Sequence, residues 1–370
     1  MDFTRSEVEI EVSRLAAQVL SVRDPAAAAA GDIGTDCDAG LWSDLARAGL
    51  LSLALPADLG GDELGIQATA AVLTEVGRRA ARVPALATLA CGVLPVMRAA
   101  DPAVKRRLLA GVATGDTVLT AAIKEPSDPA PAAPRTVATL TRNGQSGTLT
   151  GLKTGVLYAA AANWILVPAS AGTEGTPART VVAVIEPDAD GLSCQRTRSS
   201  SGLPEYTLRM EDTPIAYLLD GCTADSLYQL AVAGACAVAD GVLATALDLT
   251  TEHVRSREQF GRPLATFQAV AQQIADVYAA ARTVHLATLS ACWQLDTGCH
   301  AGRDIDVAAY WLASCGPRAM RTCHHLHGGL GMDISYPLPR FSALLTDLVA
   351  FVGGVADRLD RLGVREAVDA

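Results

Sequence analysis

The sequence is poor in aromatic side chains, which make up only 4% of its 370 residues, although half of all positions are hydrophobic. A core filled mainly by small and branched aliphatic residues favours closely packed helices over a β-sandwich. Paired cysteines are missing too. Cys37, Cys91, Cys194, Cys222, Cys236, Cys292, Cys299, Cys315 and Cys323 are scattered, and none forms a Cys-x-x-Cys pair. An odd, dispersed set suits buried free thiols in a reducing compartment better than a disulfide framework or a zinc site. No block rich in Lys and Arg occurs, and the formal net charge is −10, which argues against a nucleic-acid or anionic-membrane surface. No uncharged run approaches the length that spans a bilayer. The N-terminal stretch "MDFTRSEVEIEVSRL" is acidic and amphipathic, unlike a signal peptide. These absences lead to the expectation of a soluble, cytoplasmic protein with neither membrane nor nucleic acid among its partners.

What is present falls into three textures, and the length is enough for a large core in two or three sub-domains. Residues 1–115 read as an N-terminal helical domain: "SEVEIEVSRLAAQVLSV", "GLWSDLARAGLLSLAL", "IQATAAVLTEVGRRAAR" and "VPALATLACGVLPVMRAA" place apolar residues three and four apart. Residues 116–222 carry short β-rich runs, among them "TVLTAAI", "TVATLTR", "GTLTGLK", "NWILVPA", "TVVAVIE" and "EYTLRME". Gly, Pro, Asp and Ser separate these runs, which predicts a small antiparallel barrel or sandwich. Residues 223–370 return to helical texture. The fold class expected is mainly α with a β middle domain. No internal repeat is evident.

Two stretches carry more than packing needs. In "SREQFGRPLATFQAVAQQIADV", helix is expected from about Leu264 onward, yet Arg257, Phe260, Gly261 and Pro263 crowd its approach and Gln268 sits on its first turn. Each alone reads as an ordinary surface or turn residue. Together they read as a ligand grip. An Arg guanidinium before a Gly-containing turn can fork onto a phosphate, Pro263 suits a first helical turn, and the N–H groups freed there favour an anion. Gln268 offers both a donor and an acceptor to a ribose or adenine edge. The second stretch, "HHLHGGLGMDISYPLPR", places Gly328, Gly329 and Gly331 where backbone can approach a ligand closely. His324, His325 and His327 invite a metal, but no acidic or Cys cluster stands at matching spacing, so no metal is expected. With no preceding strand, the stretch is not a Rossmann fingerprint either.

These motifs resemble those of the acyl-CoA dehydrogenase family over nearly the whole chain. The family pattern R-x-x-F-G-x-P-x-x-x-x-Q is matched by Arg257, Phe260, Gly261, Pro263 and Gln268. A second pattern, a Gln- or His-led hGGxG followed by xYPxxR, is matched by His325 to Gly331 and Tyr336 to Arg340. The resemblance implies an N-terminal helical domain, a middle β domain and a C-terminal four-helix bundle. It implies FAD as cofactor, an acyl-CoA substrate and an electron-transfer flavoprotein as acceptor. Arg257 would hold the FAD pyrophosphate, and Phe260, Gln268, His325, Gly328 and Gly329 would line the adenosine half. In the family, these groups reach FAD lodged mainly in a neighbouring subunit.

The sequence departs from the pattern on the other side of the chemistry. The family removes a proton from the α carbon of the thioester with a positioned carboxylate. At the two positions where that Glu stands in the family, this chain has Val352 or Gly353, and Ala231. Asp347 and Asp357 flank the first position as outside candidates. In the middle domain, "IKEPSDPAPAAP" holds Glu125, Pro126, Ser127 and Asp128 where the family has T-E-P-x-x-G-S-D. After Gly151 and Lys153 come Gly155, Val156, Leu157 and Tyr158, in place of a Trp that packs on the flavin. The losses fall on groups for the chain's own flavin ring and substrate. The expectation is a base-less subunit that completes the FAD site of a paralogous partner, resembling those of actinobacterial steroid-CoA dehydrogenases. The alternatives are a self-sufficient homotetramer with Asp347 or another acid as base, and a redox-inactive scaffold of the same fold.

Overall fold

The computed structural model describes residues 5–21, 37–99, 101–141, 146–172, 179–298 and 301–369. Met1 to Thr4 and Cys299 lie outside the described residues. The chain divides into two compact units whose segments interleave in sequence: residues 1–35, 70–81 and 235–370 form one, and residues 36–69 and 82–234 the other. The helices are α1 (Glu7–Ser21), α2 (Ala39–Arg47), α3 (Ile66–Arg79), α4 (Leu94–Met97), α5 (Pro102–Leu109), α6 (Ala224–Ser256), α7 (Gln268–Asp296), α8 (Gly302–His327), α9 (Leu338–Val352) and α10 (Gly354–Asp369). The order is helices, a central sheet, then helices.

The unit of residues 36–69 and 82–234 is built on one eight-stranded sheet. Its strands are β1 (Leu119–Ala121), β2 (Val137–Leu140), β3 (Gly147–Leu157), β4 (Trp164–Ala171), β5 (Arg179–Ile185), β6 (Leu192–Thr197), β7 (Glu205–Pro214) and β8 (Tyr217–Leu218). The order is β6-β7-β3-β2-β4-β5-β8, with β1 also paired to β4. The expected all-antiparallel arrangement is corrected at β4, which runs parallel to both β1 and β2. The reason is the turn at Tyr158–Ala161. It carries the chain past β2, and a strand antiparallel to β3 on the far side of β2 must lie parallel to β2. Leu149, Val156, Ile165, Val167, Ala183 and Leu208 fill the core beneath it. β6 ("LSCQRT") has no apolar alternation, because it is an edge strand that pairs only with β7 and is mostly exposed. In the N-terminal part the run "LLSLAL" is buried but forms turns after α2, and Leu86–Val93 winds as a π-helix.

Among the described residues, the buried charged groups of this unit lie at one place. Glu125 and Lys153 are almost fully buried and paired at 2.9 Å. Oε1 of Glu125 also accepts from the N–H of Thr136 at 2.9 Å and its hydroxyl at 2.7 Å, while Oε2 accepts from the N–H of Arg135 at 2.7 Å. Burial alone raises a carboxyl pKa. Here the bonds from Lys153, Arg135 and Thr136 outweigh it and hold Glu125 at about 2. Burial lowers Lys153 despite its partner. Gly151 completes the cluster, since a Cβ there would come within 2.8 Å of the Thr136 Cα.

The other unit is helical. As the resemblance implies, its C-terminal part is helical: among the described residues α6 from residue 235 and α7 to α10 are joined by α1 and the part of α3 from residue 70 onward. α3 and α6 cross at near contact because both are glycine there. A Cβ on Gly77 would sit 1.9 Å from the Val238 carbonyl oxygen, and one on Gly241 would sit 1.9 Å from that of Thr74. Thr245 Oγ1 closes the crossing by donating to the Arg78 carbonyl at 2.9 Å. α10 docks by its charged face. Asp306 of α8 accepts from the fully buried Arg358 at 2.8 Å and from Arg365 at 2.7 Å, whereas Val355, Leu359 and Val364 of α10 are exposed. Asp357 is held by Arg358 at 2.6 Å and Arg361 at 3.1 Å.

α6 is long and apolar enough to cross a membrane, but most of its apolar stretch is buried. The stretch Leu338–Arg365 also passes by composition, and it is broken between α9 and α10 at Gly353 and Gly354, both at positive φ. Of the described cysteines, Cys91, Cys222, Cys236, Cys292 and Cys323 are buried, Cys37 and Cys315 are half-buried, and Cys194 is exposed. Burial pushes the Cys91 and Cys236 thiols up to about 12, so neither is a thiolate near neutrality.

The Glu125 cluster sets an acid dependence. Its carboxyl is at about 2 folded against 4.5 unperturbed, so its stabilisation is complete above about pH 4.5 and is lost as pH falls towards 2. Glu125→Gln strands the Lys153 charge, and a loss of about 3–5 kcal/mol is expected near neutral pH. In denaturant titrations the gap between wild type and variant should close between those two pH values.

Candidate functional site

The two sequence motifs meet in the helical unit, at the C-terminal ends of α6 and α8. After α6 the chain reverses through a two-residue hairpin, in which Glu258–Gln259 pairs antiparallel with Arg262–Pro263. Phe260 and Gly261, the two central residues, have φ of 54° and 77°. Positive φ at both positions is the type I′ turn. Gly261 is suited to it. Phe260 is not, since the left-handed region costs a residue with a Cβ about 1–2 kcal/mol, and its ring is 91% exposed. Its one ring contact among the described residues is edge-on to Phe267, with centroids 6.1 Å apart, which leaves most of the strained Phe facing outward.

The hairpin corrects two details of the sequence reading. Pro263 belongs to the short returning strand instead of a helical first turn, and the helix begins at Gln268, after a 3₁₀ turn at Leu264–Thr266. The physical reason is the bond from the Leu264 N–H to the Arg257 carbonyl, 2.8 Å long, which extends the hairpin closure by one residue. Phe267 then precedes α7 in an extended conformation, with no side chain capping the helix and no acid in its first turn. A 29-residue helix therefore starts with uncapped N–H groups, which attract an anion. Arg257 and Gln268 are both exposed at this entrance, and Arg257 makes no ion pair among the described residues. The Arg262 guanidinium is engaged elsewhere, 4.1 Å from the centroid of the Phe267 ring.

The second motif forms the end of α8 and a 3₁₀ turn, Gly328–Met332. Its glycines divide by cause. Gly328 has φ of 59°, so the backbone itself asks for glycine. Gly331 lies against its own chain, where a Cβ would meet the His327 Cβ at 3.0 Å. Gly329 has neither reason: its φ is not left-handed, and a Cβ there would meet nothing within 4 Å. The lack of a side chain at Gly329 leaves open space for an occupant from outside. His325 is exposed beside it, as are Leu330, Met332 and Ile334.

Sequence reasoning missed the link between the motifs. His253, one turn before Arg257 on α6, stacks on His327 with ring centroids 4.5 Å apart and planes 19° from parallel. His327 Nδ1 lies 2.8 Å from the Cys323 carbonyl, and Nε2 lies 3.1 Å from the Tyr336 hydroxyl. A carbonyl only accepts, so Nδ1 donates, and Nε2 accepts from Tyr336. Burial lowers the pKa of both imidazoles, and neighbouring positive charge lowers each further: His327 and Arg257 for His253, His324 for His327. The only sequence signal was a His one turn before Arg257 and another just before the Gly pair, with nothing to say that they touch. Among the described residues, no three His, Cys, Asp or Glu side chains lie together as a metal site.

The base positions hold no acid. Val352 is fully buried at the end of α9, and Gly353 caps that helix at φ 96°. Ala231 is fully buried in α6. Asp357 is half-buried between two arginines. Asp347 is half-buried on α9, more than a turn before Val352. In the sheet unit, Glu125 to Asp128 closes as a tight turn with two backbone hydrogen bonds of 2.9 Å, and Tyr158 is buried at φ 54°.

A sheet between helical segments, with two outward-facing motifs at the helix ends, defines a class of fold, and the comparisons make it specific. Residues 6–116 match the acyl-CoA dehydrogenase N-terminal domain, and residues 229–349 the C-terminal domain. Acyl-CoA dehydrogenase FadE28 of Mycobacterium tuberculosis is 44% identical over 326 residues, covering 88% of this chain and 91% of that protein. The ChsE4-ChsE5 complex from Mycobacterium tuberculosis superposes with a TM-score of 0.91 at 28% identity, over the full length of both chains. A variant of the Tcur3481-Tcur3483 steroid ACAD gives 0.90 at 31% identity, covering 98% and 99%. The chain belongs to the acyl-CoA dehydrogenase family, flavin-dependent oxidoreductases of CH–CH bonds whose members bind FAD.

The glycine sorting yields a stability contrast. Gly329→Ala should change the melting free energy by no more than about 0.5 kcal/mol, as for an exposed site. Gly77→Ala, whose Cβ would strike the Val238 carbonyl, should cost several times more in the same thermal melts.

Proposed function

We propose that this chain is the subunit of a hetero-oligomeric acyl-CoA dehydrogenase that completes the FAD site of a catalytic paralogue. The observation that carries the reading is the sorting of its groups. Those at the hairpin and glycine turn face outward: among the described residues Arg257 makes no ion pair, Phe260 is strained and 91% exposed, no side chain caps α7, and Gly329 is open. The positions where the family keeps its base hold Val352, Gly353 and Ala231. The heterocomplex named for ChsE4 and ChsE5, and the two-protein Tcur steroid ACAD, support a paralogous partner and a steroid-CoA thioester as substrate.

The residues fit the absent cofactor. Arg257 would hold its pyrophosphate with the uncapped start of α7, and Gln268 would bond the ribose or adenine edge. Gly328 and Gly329 would let backbone lie against the adenosine half, with Phe260 and His325 at its border. When bound, FAD supplies the acceptor for the hydride that leaves the β carbon. This chain's part is to bind and orient the dinucleotide tail and to exclude water from it. Proton removal from the α carbon falls to the partner, as does the approach of the electron-transfer flavoprotein to a competent flavin.

Co-expression with a paralogue from the same source is the test. Arg257→Ala with Gln268→Ala should lower flavin retention by the assembly at least about tenfold, since one charge-assisted bond contributes about 1.5–3 kcal/mol. The chain purified alone should not reduce a dye with acyl-CoA. A yellow, active homomer would overturn the reading in favour of Asp347 or another acid as base. Full flavin retention and turnover by the double variant's assembly would leave only the redox-inactive scaffold.

A further inference from the structure

The hairpin and the glycine turn belong to different helices, so something must hold them in register. We propose that His253 is a positioning residue. Through its stack on His327 it holds the Gly328–Met332 turn beside the Arg257 hairpin while both rings are neutral, and it releases the turn when the pair takes up a proton.

The geometry supplies both halves of this. The near-parallel rings at 4.5 Å join the end of α6 to the end of α8, and His327 directly precedes Gly328. The Arg257 N–H donates to the His253 carbonyl at 2.8 Å, so the stack and the Arg belong to one helical turn. On the far side Tyr336 fixes Nε2 of His327, tying the chain that follows the glycine turn to the same ring. One aromatic pair therefore fixes the glycine turn at both of its ends relative to Arg257. The groups that act on the pair are basic or neutral on every side. Arg257 follows His253 on its own element, His324 adjoins His327 on α8, Tyr336 comes from the segment after the turn, and the Cys323 and Leu249 carbonyls face His327. A proton added beside the Arg257 guanidinium is repelled, and two stacked imidazolium rings repel each other.

The sign follows. Both histidines have folded pKa values below 6.5, so an opened turn binds protons more readily than the closed one. The clasp is complete above about pH 6.5 and weakens as pH falls through the depressed values. On the function proposed above, the adenosine side of the flavin grip loosens on acidification.

Hydrogen–deuterium exchange on the full chain, with no flavin present, tests the clasp apart from the cofactor assignment. After correction for intrinsic rates, exchange in residues 328–336 should rise roughly tenfold from about pH 7.5 to about pH 5.5, because opening is linked to proton uptake. His253→Phe keeps a stacking ring that cannot titrate, leaves only His327 to take up a proton, and should reduce the rise. His253→Gln loses the stack and should exchange fast at both pH values. Wild-type exchange that ignores pH would sink the proposal whatever the variants do. So would a pH response undiminished in His253→Phe, or protection unchanged in His253→Gln.

Discussion

The reversal between α6 and α7 constrains everything around the site. Two residues must turn the chain, and both do so at positive φ. A longer loop would have let the Arg257 side chain fold back or the start of α7 find a capping residue. The tight turn instead presents Arg257, Phe260 and the first N–H groups of α7 along one short run of backbone. The bond from Leu264 to Arg257 locks that geometry with main-chain atoms alone.

How much of this was legible follows from what each signal records. Periodicity marked α1 and α3 because their faces are sorted by burial. It failed at "LLSLAL" and at the π-helical Leu86–Val93, where the chain is buried all round and an apolar run says nothing about its winding. β4 and β5 announced themselves as apolar runs, while β6 stayed silent because an exposed edge strand needs no pattern. The sheet's parallel pairs were out of reach, since strand order depends on which way one turn carries the chain. The R-x-x-F-G and H-G-G-x-G stretches were readable as a grip because their residues are peculiar for helix ends. Pro263 was assigned to the wrong element, because its fixed φ suits an edge strand as well as a helical first turn.

The histidine stack shows a different limit. His253 and His327 stand 74 positions apart by their numbers, and each alone is an unremarkable helix residue. Only the packing of α6 against α8 makes them one object. The glycines teach the converse. In sequence Gly328, Gly329 and Gly331 form a single motif, yet backbone conformation explains the first, packing the last, and neither the middle one. A motif can thus be a mixture of causes, and only the remainder, after geometry has claimed its share, points to a ligand.

The attachment of the final helix has a consequence for how this chain can change over generations. One carboxylate, Asp306, answers two guanidinium groups that lie 52 and 59 positions further along. A lineage that alters Asp306 alone takes one carboxylate from each of two guanidinium groups, one of them fully buried and the other partly exposed. Exchange of all three for well-fitted apolar residues would be tolerated far better. The three positions are free to drift only in concert, so a local neutral walk is closed to them and they should persist or vanish together.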